Sequence, residues 1–258
     1  MLRILDARTG EPVDAALARR GLVRVHARPP GSGVTSLRVL LVADVLMRAL
    51  EIGGNPAWAT LTSAPEPAEA GDRTDPARPD ATWGEAGLRA RAAELGIRPF
   101  EEHRDTEPGP AAARTIDVVA QGAEAAEGPR VEVAPVDAGQ GSTIAPGDPT
   151  ALRLALLARR RDLPLSLDAE ALTEAADTLA RWRAAVAGWA KRPSKPIPED
   201  VRLRLRAAWE DDLDVPAVLD VLRSVETSGI PEGARFETYA HADRLLGLEL
   251  TREIGSSL

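Results

Sequence analysis

The sequence predicts an α/β protein. A reduced, Rossmann-like nucleotide-binding domain is expected over residues 1–147, and an all-α helical bundle over 148–258. Three observations carry this reading. Residues 22–61 read as strand, glycine-rich loop, helix and strand, which is one βαβ unit of a nucleotide-binding sheet. Up to residue 147 the periodic runs are short and separated by Gly and Pro clusters. After Asp148 apolar residues recur at helical spacing alone.

The elements follow in order. Leu2 to Leu5 is a candidate strand, followed by the turn residues Thr9-Gly10-Glu11-Pro12. Leu22 to Ala27 alternates roughly between apolar and polar, a strand pattern, and runs into the loop Arg28-Pro29-Pro30-Gly31-Ser32-Gly33. Thr35 and Ser36 offer N-cap hydroxyls to a helix over Leu37–Ile52, closed by Gly53-Gly54. Ala57 to Leu61 is the next strand. Residues 64–82, rich in Ala, Pro and acids, read as a loop. A helix is expected from Trp83 to Leu95 and another from Ala111 to Ala126. Arg130 to Val136 alternates as a strand, and 137–147 is a Gly/Ser/Pro loop. Asp148-Pro149 is a helix start, an Asp cap with Pro at the first helical position, and that helix is expected to run to about Arg161. Four more helices are expected near 168–189, up to Trp209 after the proline-rich hinge 192–198, 215–224 and 235–246.

Composition narrows the chemistry. The chain has 258 residues, 44% hydrophobic and 28% charged, which suits a packed core. No apolar run reaches the roughly 18–20 residues of a membrane span, and the start lacks a signal-peptide layout, so a cytoplasmic protein with no membrane partner is expected. There is no cysteine, which removes disulfides, thiol nucleophiles and thiolate metal sites. The net charge is −8, and the one basic run, Arg159-Arg160-Arg161, ends a helix, where cations favour the negative dipole end. tRNA is therefore the lesser partner expectation, behind a protein or a small molecule.

Several stretches resemble cysteinyl-tRNA synthetases and their relative, the ligase that joins cysteine to glucosaminyl-inositol in mycothiol synthesis. Asp148-Pro149-Thr150-Ala151-Leu152-Arg153 and Asp211-Asp212-Leu213-Asp214-Val215-Pro216-Ala217 are similar to motifs of the helical domain that follows that family's catalytic core. Arg38 with Val42 to Leu46 looks like the family's His-Ala-Arg-Ser-x-Val-x-Phe-Asp-Val-Leu helix. Glu94 to Pro99 resembles its Leu-Gly-Ile turn, and Arg181-Trp182-Arg183 is similar to the mycothiol ligase.

The resemblance also marks departures. It implies two histidines of a His-Ile-Gly-His signature at the helix start, binding ATP phosphates. This chain has Gly33-Val34-Thr35-Ser36 there. It implies a Lys-Met-Ser-Lys-Ser signature, and the matching region Ala138 to Ile144 holds no lysine. It implies a zinc held by two Cys, a His and a Glu, and no cysteine is present; His26 falls near one of those positions. The expectation is a truncated and degenerate paralogue, unable to form cysteinyl adenylate, acting as a non-catalytic binding or partner module. The alternatives are a repurposed ligase or transferase using a nucleotide or activated aminoacyl substrate, and a tRNA-binding accessory. No catalytic or metal residue is assigned. The candidate nucleotide or anion site is Gly33, Thr35, Ser36, Arg38, Ser142 and Thr143, with ATP or an adenylate as the candidate ligand. Asp211, Asp212 and Asp214 are read as helix capping rather than a metal cluster, and Trp182, Trp189 and Trp209 as core.

Overall fold

The structure is a computed structural model, and it describes residues 1–16, 21–62, 83–102, 114–123, 128–138 and 148–255. In chain order the elements are β1 (Arg3–Asp6), β2 (Glu11–Asp14), β3 (Val23–Arg28), α1 (Val34–Ile52), β4 (Ala57–Leu61), α2 (Gly84–Glu94), β5 (Glu101–Glu102), β6 (Arg114–Ala120), β7 (Arg130–Val133) and β8 (Val136–Asp137). The second half holds α3 (Pro149–Leu157), the short β9 (Leu165–Ser166), α4 (Ala169–Trp189), α5 (Glu199–Glu210), α6 (Val215–Glu226) and α7 (Glu232–Leu246). The fold is α/β, as the sequence predicts.

The main sheet is all-parallel, with strand order β5-β4-β3-β6-β7. The first strand of the unit is central and the order reverses on either side of it, as in a doubly wound nucleotide-binding sheet. The switch point lies between β3 and β6. One sheet face is aliphatic, from Val23, Val25, Ala27, Ala59, Leu61, Ile116, Val118, Val131 and Val133, all buried. The other carries Arg24, His26, Arg28, Thr60 and Asp117.

Among the described helices α1 is the one in extensive contact with the strands. It also packs on α2 and α7, so 15 of its 19 residues are buried. A helix enclosed on both sides needs apolar residues all round rather than one stripe, and Leu37–Leu50 supplies them. The molecule is thus layered: sheet, α1, then the α3–α7 bundle.

Three expectations are corrected. Where a helix is expected over Ala111–Ala126, Arg114–Ala120 forms the strand β6. Thr115, Ile116, Val118 and Val119 are β-branched; all four pair with β3, and Val118 and Val119 also pair with β7, which overrides the alanines around them. Glu11 and Pro12 belong to β2, which pairs with β1, so the turn ends two residues earlier, at Gly10 (φ 72°). The helix begun by Pro149 ends at Leu157, not near Arg161: the Arg159 and Arg160 carbonyls turn to Arg38 instead of continuing the ladder.

Candidate functional site

The sequence-predicted site is the β3–α1 loop, at the carboxyl end of the central strand. Its N-cap is Gly33 in an extended conformation, with no side-chain cap bond; Thr35 and Ser36 lie inside the first turn rather than capping it. Their hydroxyls do other work. Ser36 Oγ accepts from the Gly31 amide at 3.1 Å, folding the loop back on its own helix, and Ser36 is 1% exposed. Thr35 Oγ1 accepts from the Val136 amide at 3.1 Å, fixing β8 to α1. Ser32 Oγ accepts from the Gly84 amide at 3.2 Å, fastening the start of α2.

Arg38 is 1% exposed, so it is not a solvated helix residue. Its guanidinium donates to four backbone carbonyls: Ala134 and Leu163 at 3.1 and 3.0 Å, Arg159 and Arg160 at 3.0 and 2.8 Å. The last two follow the C-terminus of α3, the negative end of its dipole, which offsets a buried cation that bonds no carboxylate. Burial, with neighbouring Arg159, pushes its pKa down to about 10. Arg38 therefore joins α1 to the end of α3. Ser142 and Thr143 lie outside the described residues.

Across the switch point, Arg28 pairs with the buried Asp117 at 3.2 Å. Arg24 donates to Thr115 at 3.2 Å and lies 6.0 Å from the centre of the Trp58 ring. His26 is clamped: Nδ1 meets Thr60 Oγ1 at 2.7 Å and Nε2 meets Thr62 Oγ1 at 2.8 Å. With both ring nitrogens engaged, it has none left for a metal. Among the described residues no group of three His, Asp or Glu could hold a metal ion.

The motifs in the second half turn out to be anchors as well as caps. Asp148 and Asp214 cap α3 and α6, accepting from the Thr150 and Ala217 amides at 2.9 and 3.0 Å. Arg153, wholly buried, crosses to α1, where Asp44 accepts from it at 2.7 Å; it also donates to the Leu246 and Leu95 carbonyls. Asp44 takes Arg48 and Arg98 as well, at 2.8 and 3.0 Å. Asp212 accepts from the Leu5 amide at 2.8 Å and pairs with Arg161, so it ties β1 to the end of α3. Sequence reasoning missed these links. The signal for one was present: Asp44 interrupts an apolar helix, and a carboxylate there demands buried cations.

No protein-family profile matches the chain. Curated relatives do match part of it. The L-cysteine:1D-myo-inositol 2-amino-2-deoxy-alpha-D-glucopyranoside ligase of Streptomyces griseus is 42% identical over 109 residues, which is 40% of this chain and 25% of the ligase. The same-named ligase of Streptosporangium roseum is 40% identical over 108 residues, 40% of this chain and 26% of that one. The match to the Thermobispora bispora ligase is 45% over 75 residues, 29% of this chain and 18% of the relative. The chain thus spans about a quarter of the length of the curated relatives it matches. A solved, provisionally named arginyl-tRNA synthetase from Campylobacter jejuni overlays 91% of both chains at 9% identity with a TM-score of 0.46, too slight a likeness to carry an argument. The expected resemblance to the mycothiol cysteine ligases is therefore a finding over two-fifths of the chain.

Proposed function

We propose that this synthetase-like chain does not form cysteinyl adenylate and acts as a binding or partner module. One observation carries the reading. Gly33 and Ser36 stand where the resemblance implies two phosphate-binding imidazoles, and Ser36 is buried with its hydroxyl turned to Gly31. Adenylation depends on preorganised donors and cations where charge develops. Here Gly33 has no side chain, Ser36 is enclosed, and the nearby Arg38 is committed to carbonyls. The absence of cysteine supports the same conclusion for a thiolate-held zinc. Arg160 pairs with Asp162, Asp212 and Asp214, and Arg161 with Asp212, which favours a protein or small-molecule partner over tRNA. The division at 147/148 is then one of layers, the sheet and the bundle sharing α1.

A second reading, a repurposed ligase or transferase using a nucleotide or an activated aminoacyl substrate, is favoured by the strand order, whose switch point between β3 and β6 is the position where doubly wound sheets bind ligands. Thermal-shift measurements with ATP, AMP and a non-hydrolysable cysteinyl-adenylate analogue separate the two. The partner-module reading expects no change in melting temperature with any of them. A rise with one of them, abolished by Gly33→Asp, would establish the second reading in its place.

A further inference from the structure

The two described histidines have opposite fates. His26 is locked between threonines; His241, on α7, makes no hydrogen bond through its ring among the described residues, and its one ring contact is Trp209 at 5.5 Å. It forms a wall common to two openings. One, of about 460 Å³, lies between the end of α1, α5 and α7 and includes Arg202, Arg206, Trp209 and Glu210. The other, of about 450 Å³, lies between α7 and the hinge and includes Lys195, Glu237 and Arg244. Each is within the size range of small-molecule sites.

The charges around His241 are unequal. Glu210 is taken by Arg206 and the Met1 amine, Arg202 by Glu199, and Glu237 by the Ser194 hydroxyl. The Lys195 ammonium and the Arg244 guanidinium have no partner among the described residues. Burial, then Arg244 and Arg202, lowers the His241 pKa, so the imidazole is neutral near pH 7; Glu237 keeps its charge beside the Ser194 hydroxyl, and Lys195 and Arg244 outnumber it in the opening they share. In a chain of net charge −8 this is a local reversal of sign.

We propose that the paired openings around His241 bind a small molecule bearing phosphate groups, with Lys195 and Arg244 as its charge partners and His241 contacting it. Two cations on separate elements, the hinge and α7, that line one opening together with the imidazole suit an anion with more than one charged oxygen cluster, and guanidinium forks match phosphate geometry. This site is remote from the β3–α1 loop, so it stands or falls independently of whether the chain adenylates cysteine.

The test follows the His241 ring proton by NMR through a pH titration of the full chain, alone, with inorganic pyrophosphate and with citrate. Pyrophosphate is expected to move the titration midpoint up by roughly one pH unit, because an anion favours the imidazolium. Citrate at matched ionic strength should move it by much less. In the double variant Lys195→Gln/Arg244→Gln the pyrophosphate effect should vanish while the melting temperature stays unchanged, since both side chains are exposed. A midpoint indifferent to pyrophosphate, an equal response to citrate, or an effect that persists in the double variant overturns the proposal.

Discussion

Asp44 decides more of this molecule than any other single side chain. It is 1% exposed and receives Arg48, Arg98 and Arg153. Burial alone would raise its pKa; Arg153 and Arg48 outweigh that and hold it below the usual carboxylate range. A folded pKa below the unfolded one stabilises the protein above the unfolded value and loses that contribution as pH falls through the folded value. Removing the acid strands the wholly buried Arg153, so Asp44→Ala should lower unfolding stability by about 3–5 kcal/mol, read from denaturant midpoints. His241 acts with the opposite charge. Its folded pKa lies below the unfolded 6.5, so the unfolded state binds the extra proton first, and stability declines as pH drops below 6.5. Melting temperatures between pH 7.5 and 5 should show a component that His241→Gln removes. At this scale little was legible. Arg38 reads as a free cation near a loop because its four carbonyl partners lie about a hundred residues away in sequence.

Elements were more legible where their ends carry local chemistry. The aspartate caps at 148 and 214 were readable, because a cap bond spans only two or three residues, while Asp168 reads only as a helix start. Asp168 makes its cap bond at an exposed end, so Asp168→Ala should cost about 1 kcal/mol. Asp212→Ala should cost distinctly more in the same chemical-denaturation series, since Asp212 joins the Leu5 amide to Arg161 in addition to ordering the α5–α6 turn. If the two variants prove equal, the anchoring role of Asp212 is wrong. The strand β6 was illegible for the opposite reason. Its alanine-rich approach favours a helix locally, and its pairing between β3 and β7 is decided by strands distant in sequence.

For the whole molecule, α1 is the shared wall of sheet and bundle, and one continuous apolar core runs from Leu2 to Leu250. Neither half can cover α1 alone, so far-ultraviolet circular dichroism and tryptophan fluorescence should report one coincident unfolding transition. Two separated transitions would mean that the layers fold independently. The same architecture explains the pattern of retained and lost motifs. Asp148–Arg153 and Asp211–Ala217 persist at positions that cap helices and bind layers together, through Arg153 to Asp44 and Asp212 to Arg161. The departures fall at Gly33–Ser36 and Ala138–Ile144, where the resemblance implies charge stabilisation of a reacting phosphate. Cysteine-dependent ATP–pyrophosphate exchange by the purified chain tests this most directly. No exchange above the protein-free background is predicted; exchange that requires cysteine and scales with protein concentration would contradict the account.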